Sequence, residues 1–474
     1  MNDADLQALV DDPAIRRDVS AVELVESVLA RIDRHGDRLA AFITVMPEAA
    51  LAQAREVDQR RAREGRAGAL DGLPIALKDN IDVAGVRCTA GSAWFADRVA
   101  ARDAEVTRLL RDAGAVIVAK TNMHELAYGA TTVNPHFGAC RNPWDLTRVP
   151  GGSSGGSGAA LGADLCFAAL GTDTGGSVRI PAALNGVTAL RPTYGSVSNR
   201  GVLPISPSLD TVGAMARSAV DVASVAGVLA GFDLRDPYAV APPAVAARLH
   251  PVGSADNADR PLEGLRVGVA RGFFFAGVAD SVAANARAAG DILSELGAST
   301  SEIDTSAAER ARDDAAELIR AEALALHEER LSERGDEIGA DVRERFELGR
   351  DSTGVQVARA LDRMRHWQAH MREAFEDVDV ILTPTTPDVA PRGEDGHMIA
   401  LTAALTRFTY PWSLAWLPAI SFPSGLDGQG LPTGVQLAAA PWRDGLLLDV
   451  AREFQRVTSF HFQRPPAVYP AGAR

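Results

Sequence analysis

Residues Val149–Gly186 read VPGGSSGGSGAALGADLCFAALGTDTGGSVRIPAALNG. Glycines and small hydroxyl residues fill both ends, and the apolar run Leu165–Leu170 lies between them. Glycine allows close backbone approach, and a short apolar run bounded by turn residues is the pattern of a buried strand. Two Gly/Ser loops joined through such a strand form a floor on which backbone amides and serine hydroxyls converge. That layout suits a nucleophile beside an oxyanion site. Upstream, the run Leu73–Leu77 reads as a second short strand that delivers Lys78 and Asp79 at its end. A third, Ala115–Ala119, follows a helix from about Ala104 to Asp112 and runs into Lys120, Thr121 and Asn122. Short apolar strands alternating with helices predict an α/β architecture.

The 474 residues permit about three domains on length alone. The composition is evenly globular at 46% hydrophobic, so one large unit over 1–474 is expected, with a sizeable core. Within it the sequence predicts a helical N-terminal segment over about 1–66, a catalytic core over about 67–230 and a helical insertion over about 300–375. Ser20 with Glu23 forms a capping box ahead of Val25, Val28, Leu29 and Ile32, which share a helical face. Residues 51–67 read as a solvated helix, and 190–211, rich in Pro, Gly and Ser, as an ordered irregular loop. Strand patterns return at Leu265–Ala270, Val378–Pro384 and Gly434–Ala438, and helices at Ser281–Leu296 and Leu446–Phe454. Composition shifts near 240–264 without marking a firm boundary.

A formal net charge of −14 argues against a broad nucleic-acid or anionic-membrane footprint. No run approaches the ~18 apolar residues of a membrane helix. The expectation is a cytoplasmic enzyme with a small-molecule substrate, no nucleic-acid partner, no membrane contact and room for a homodimer. Cys88, Cys140 and Cys166 cannot all pair and lack zinc-ligand spacing, so neither a disulfide framework, a metal nor another cofactor is expected.

Gly-rich loops usually mark tight turns. A phosphate-binding loop requires lysine after its glycines, and neither loop supplies one. Gly152–Gly156 does match G-x-S-x-G, with Ser154 at its centre. That motif requires a strand directly before it, and RNPWDLTRVP is a poor strand; its histidine would have to be His397 or His461. An esterase of the α/β-hydrolase type using Ser154 is therefore the lesser reading.

A different set of segments uses the odd features together: GLPIALKDNIDVAG, AKTNMHELAYG, NPWD, PGGSSGGSGAA, LGTDTGGSVRIPAA, RPTYGSVS, SLDTVG, LPAISFPSG and LPTGVQLA. In this order they resemble the amidase signature family over most of the chain. The resemblance implies a single amidase-type domain and the catalytic residues Ser177 as acyl-forming nucleophile, Ser153 as bridging serine after a cis Gly152–Ser153 bond, and Lys78 as base. It implies substrate binding at an oxyanion loop of Thr174, Gly175, Gly176 and Ser177 together with Ser153, and a central mixed sheet of many strands covered by helices on both faces. Asp173, Arg179 and Asp210 match family positions, with buried structural hydrogen bonding as their expected role. His124 and His136 show no partner pattern.

A serine hydroxyl attacks only when a base takes its proton, and a lysine can do so only when neutral, so Lys78 must be withheld from bulk water. Ser153 would pass the proton between Ser177 and Lys78 and return it to the leaving nitrogen. Where family members commonly carry glycine before a late Leu-Pro, this chain has Trp416. Trp412 and Trp416 are accordingly candidates for the acyl pocket, with core packing as the equal alternative.

The sequence reading thus expects a stand-alone amidohydrolase acting on carbon–nitrogen bonds of linear amides, anilides or hydrazides. Its alternative is the glutaminase subunit of a tRNA-dependent amidotransferase, which shares the core and works in an assembly that channels ammonia. The segment VLPISPSLDT looks closer to the stand-alone enzymes.

Overall fold

The computed structural model describes residues 3–65, 68, 70–243, 259–393 and 397–469. Positions 66 and 67, where the sequence reading ends its N-terminal segment, and 244–258, within the stretch of shifted composition, lie outside the described residues.

The chain opens with α1 (Asp3–Asp11) and α2 (Ala21–Leu39). Ser20 caps α2 by accepting from the Glu23 amide while Glu23 returns to the Ser20 amide, as the capping box predicts. Then come β1 (Phe42–Val45), α3 (Pro47–Glu64), β2 (Pro74–Lys78), α4 (Glu105–Asp112) and β3 (Val116–Thr121). A small hairpin, β4 (Val133–Asn134) and β5 (Gly138–Ala139), precedes α5 (Gly155–Gly162), β6 (Ala168–Asp173), α6 (Arg179–Asn185), β7 (Thr188–Arg191), β8 (Thr211–Ala216) and α7 (Ala219–Leu229). The second half runs β9 (Arg266–Ala270), α8 (Asp280–Glu295), β10 (Ser299–Ile303), α9 (Ala308–Arg334), α10 (Ala340–Gly349) and α11 (Gly354–Asp377). It closes with β11 (Val380–Pro384), α12 (Met398–Leu405), α13 (Tyr410–Leu414), β12 (Ala419–Leu426), β13 (Pro432–Ala439) and α14 (Asp444–Val457).

Eleven strands form one mixed sheet in the order β1-β3-β2-β6-β8-β7-β12-β13-β11-β9-β10. The late strands β11 to β13 rejoin the early ones, because β12 pairs antiparallel with β7. Strands β2, β3, β6, β8, β11 and β13 are buried at every position, which requires helices over both faces and explains their continuous rather than alternating apolar runs. Among the described residues no helix is long and apolar enough to cross a membrane.

Two departures from the sequence reading have physical causes. The central strand begins at Ala168, not Leu165, since Leu165 donates its amide to Ala160 O and Asp164 takes φ 53° in the turn closing α5. The shift carries the strand on to Thr172 and Asp173. The sheet edges escape the sequence reading: β1 is half-buried throughout, and β10 (STSEI) is exposed and polar over four of its five residues, so neither edge has an apolar run to betray it.

Candidate active site

Strands β2 and β6 are parallel neighbours, and their C-terminal ends set Lys78 beside Thr172 and Asp173. Lys78 Nζ stands 2.7 Å from Ser153 Oγ and 2.7 Å from Thr172 Oγ1. Lys78 and Ser153 are completely buried. Burial pushes the Lys78 amine down to about 7, against the opposing pull of Asp210 and Asp173. Such burial disfavours the ammonium form and favours the neutral amine. The peptide bond Gly152–Ser153 is cis.

Ser177 sits on the loop after β6 and is 8% exposed, which makes it the one of the three that reaches a cavity. It is not hydrogen-bonded to Ser153 through its hydroxyl; the two loops are joined instead by the Ser154 amide, which donates to Ser177 O at 3.2 Å. Asp173 organises the turn between. Its carboxylate accepts from the amides of Gly176 (2.8 Å) and Val178 (3.3 Å) and pairs with the buried guanidinium groups of Arg179 and Arg191. Burial alone would raise its pKa, but Arg179 and Arg191 hold it well below the usual carboxylate range.

This turn amends the expected oxyanion loop. The Gly176 amide is already engaged by Asp173, so it points away from the cavity's chemistry. Among the described residues the amides of Thr174, Gly175 and Ser177 have no acceptor, and all three residues line the cavity. Asp210 steadies the loop from the other side, accepting from Thr174 Oγ1 (2.5 Å) and from the Ile205 and Ser206 amides. Burial pushes its carboxyl up to about 6, opposed by those hydrogen bonds.

The cavity at Ser177, of about 30 Å³, is lined by Thr174, Gly175, Ala127, Gly129, Ile205 and, from the helical part of the chain, Ile319, Arg345, Thr402, Thr406 and Tyr410. A second cavity of about 120 Å³ shares Tyr128, Ile319, Arg345, Thr402, Thr406 and Tyr410 with it and opens outward past Arg320 and Leu348. Arg345 projects from α10 and is buried. Its Nη2 donates to Met398 O (3.0 Å) and Thr402 Oγ1 (2.8 Å), it lies over the Tyr128 ring, and its Nε is buried without a partner. Burial lowers the guanidinium's pKa, with Asp341 pulling the other way. A guanidinium kept dry with an unspent donor is a receptor for an anion.

Neither tryptophan candidate lines these cavities. Trp412 is fully buried and stacks on Phe274 (5.0 Å, 4°) within the aromatic cluster of Phe273 and Phe408. Trp416 stacks on Tyr194 (4.5 Å, 17°) and donates Nε1–H to Ser208 O. The neighbouring Tyr410 is the aromatic residue at the cavity. Ser154 stands at the start of α5 and exchanges hydrogen bonds with the Thr172 backbone, and no strand runs directly into it. His397 and His461 lie apart from it, paired with Glu344 and in tilted contact with Phe462 respectively. Cys88, Cys140 and Cys166 are free and buried.

Sequence reasoning missed Arg345. Its signal was present: Val342, Arg345, Phe346 and Gly349 form the buried stripe of α10 at positions i, i+3, i+4 and i+7, and an arginine in such a stripe is not on a solvated face.

The model of the family described as Amidase matches residues 23–448. The chain is 41% identical over 483 residues to a glutamyl-tRNA(Gln) amidotransferase subunit of Ralstonia nicotianae, covering 95% of this chain and 97% of that one. Among solved structures it resembles the corresponding glutamyl-tRNA(Gln) amidotransferase subunit of Thermotoga maritima, with a TM-score of 0.78, 31% identity and 94% of each chain covered. It also resembles a chain from a vestigial protein complex that reveals the evolutionary origins of an s-triazine catabolic enzyme, with a TM-score of 0.84, 34% identity, 92% of this chain and 95% of that one. These likenesses overturn the expected stand-alone amidohydrolase and the expected exclusion of nucleic acid from its partners. Both expectations leaned on one loop segment and a whole-chain charge, and neither of those reports on surfaces shared with other subunits. The chain belongs to the Amidase family of hydrolases acting on carbon–nitrogen bonds.

Proposed function

We propose that the chain is the amide-hydrolysing subunit of a glutamyl-tRNA(Gln) amidotransferase-type assembly in the cytoplasm, taking ammonia from glutamine for a tRNA-bound acceptor held by partner subunits. The observation that carries this reading is the 41% identity to a polypeptide of such an assembly, over 95% of this chain and 97% of the relative. The site supplies the chemistry. Ser177 Oγ attacks the side-chain carbonyl of glutamine while its proton passes to Ser153 Oγ, whose own proton goes to neutral Lys78, 2.7 Å away. The oxyanion is held by the amides of Thr174, Gly175 and Ser177, each worth ~3 kcal/mol in the transition state. Collapse of the tetrahedral intermediate breaks the C–N bond, Ser153 returns a proton to the nitrogen, and ammonia leaves. Water then attacks the Ser177 ester by the same relay and releases glutamate.

Arg345 fits the α-carboxylate of glutamine: it lines the cavity at Ser177, and its Nε has no hydrogen-bond partner. The test is glutamine hydrolysis by the purified chain, alone and with the subunits that co-purify with it, with and without glutamyl-tRNA(Gln). Glutamate formation that rises on adding the subunits and the charged tRNA is expected. A chain that hydrolyses no glutamine in any of these mixtures, yet cleaves other amides, would overturn the assignment.

A further inference from the structure

We propose that His124 is a positioning residue: its imidazole ties the serine-bearing core to helix α10 and thereby sets where Arg345 stands over Ser177. This rests on Ser177 as nucleophile and Arg345 as carboxylate anchor.

His124 follows β3 and is buried. Its amide donates to Ser153 O at 3.0 Å. Its Nδ1 accepts from the Thr132 amide at 3.2 Å and lies 3.2 Å from Thr131 Oγ1, which leaves Nε2 as the ring's donor. Nε2 then donates to Asp341 Oδ2 at 3.0 Å. Asp341 lies one turn before Arg345 on α10. A second pin holds the same helix end: the Gly339 amide donates to Glu125 Oε2 at 2.8 Å. On the core side, Thr132 Oγ1 donates to Gly151 O (2.8 Å) and accepts from the Gly155 amide (3.1 Å), so it brackets the loop that carries Ser153.

Two further features are explained only if the ring's place matters. A Cβ at Gly129 would stand 2.2 Å from His124 Nε2, so that position is open only to glycine while the ring is there. Leu126, Ala127 and Thr132 hold φ of 53°, 58° and 58°, the left-handed region that side chains rarely adopt. Three such residues around one buried ring cost conformational energy, and surrounding contacts must hold them. The Thr132 amide is held by His124 Nδ1 and the Ala127 amide by His124 O, while the Leu126 amide is held by Ala90 O. The catalytic relay, by contrast, needs nothing from the imidazole, which is hydrogen-bonded to neither Lys78 Nζ nor Ser177 Oγ.

The experiment labels the full-length protein with a fluorophosphonate, locates the adduct by mass spectrometry, and titrates glutarate, a dicarboxylate without an amide, as a protecting competitor. In the wild type, glutarate is expected to slow labelling at Ser177. Asp341→Ala should raise the half-protecting glutarate concentration at least tenfold more than it changes the uninhibited labelling rate. Asp341→Asn keeps an acceptor for Nε2–H and should restore protection to within about threefold of wild type. His124→Asn keeps an acceptor for the Thr132 amide while losing the reach to Asp341; it should reproduce the Asp341→Ala result even if that variant does not fold. Equal protection of wild type, Asp341→Ala and His124→Asn would overturn this inference and leave the proposed function standing. Parallel losses of protection and labelling would also overturn it, since they would mark a collapse of the whole site. A wild type that is not labelled at Ser177, or is not protected by glutarate, would overturn the nucleophile or the anchor and this inference with it.

Discussion

Lys78 Nζ and Thr172 Oγ1 stand 2.7 Å apart with both side chains shut away from water, and no carboxylate is hydrogen-bonded to the amine among the described residues. A hydroxyl on one side and Ser153 on the other satisfy a neutral amine, whereas an ammonium there would lack a counter-ion in contact. The pKa of about 7 follows from that burial. Since only the unprotonated amine can take a proton, kcat/KM should rise about tenfold per pH unit below 7 and level off above it. A pH–rate profile on a small amide checks this. Thr172→Val removes the accepting hydroxyl and should move the inflection; a profile flat from pH 5.5 to 8 would exclude Lys78 as the base.

The same burial has a cost for the fold. Lys78 has a folded-state pKa below its unfolded value of 10.5, so between about pH 7 and 10.5 the unfolded chain binds the extra proton. Stability from this residue is therefore regained as pH rises through that window, and at pH 7 the residue is a liability of roughly 4 kcal/mol at most, at about 1.4 kcal/mol per unit. Lys78→Met should abolish turnover and raise the midpoint of urea unfolding at pH 7, with the gain shrinking toward pH 10. Unfolding curves of the two proteins at pH 7 and 9.5 decide it.

In the proposed relay Ser177, Ser153 and Lys78 share one proton path, so their removal should not be additive. Ser177→Ala, Ser153→Ala and Lys78→Ala should each lower kcat by roughly 10³-fold or more, and the triple variant should be little worse than the weakest single one. Steady-state ammonia release from each variant measures this.

How much of this was legible beforehand depended on whether a residue's neighbours in space are also its neighbours in sequence. Lys78 ends an apolar run, and Ser153 and Ser177 lie in Gly/Ser loops, but local pattern alone would have left Lys78 a surface-turn lysine; the ordered series of family segments singled out all three. The diversion of the Gly176 amide to Asp173 was not readable, because it depends on Arg179 and Arg191 closing on that carboxylate from two different elements. Trp412 and Trp416 fell on a conspicuous aromatic stretch, but the cavity takes Tyr410, because α13 turns the tryptophan at 412 into the Phe274 stack. Arg345 lies in a charged helix whose buried stripe is only four residues long, and it meets Ser177's cavity only through the tertiary packing of α10 against α12.

Asp173 should matter to fold and chemistry together. Asp173→Ala would leave Arg179 and Arg191 buried without their shared counter-charge and free the Gly176 amide, costing about 3–5 kcal/mol. Urea unfolding should show that loss. Asp173→Asn keeps the size and part of the hydrogen bonding, and should retain the fold while lowering kcat, since the amides of Thr174, Gly175 and Ser177, proposed to hold the oxyanion, depend on the turn it holds.

Arg345 offers the sharpest separation of binding from chemistry. Its Nη2 is committed to Met398 O and Thr402 Oγ1, its Nε is unspent, and among the described residues no acidic side chain lines the cavity at Ser177 to compete for it. A substrate carboxylate would gain a charge-assisted hydrogen bond in a dry setting, worth ~2–3 kcal/mol. Arg345→Met should therefore raise KM for glutamine about 10²-fold with kcat lowered far less, while a neutral amide such as propionamide should be hydrolysed with nearly unchanged constants. Arg345→Lys should recover only part of the loss, because a point charge on a shorter stem cannot both keep the Thr402 contact and present a second donor to the ligand. Equal KM changes for glutamine and propionamide would show that the guanidinium serves the packing of α10 rather than the substrate.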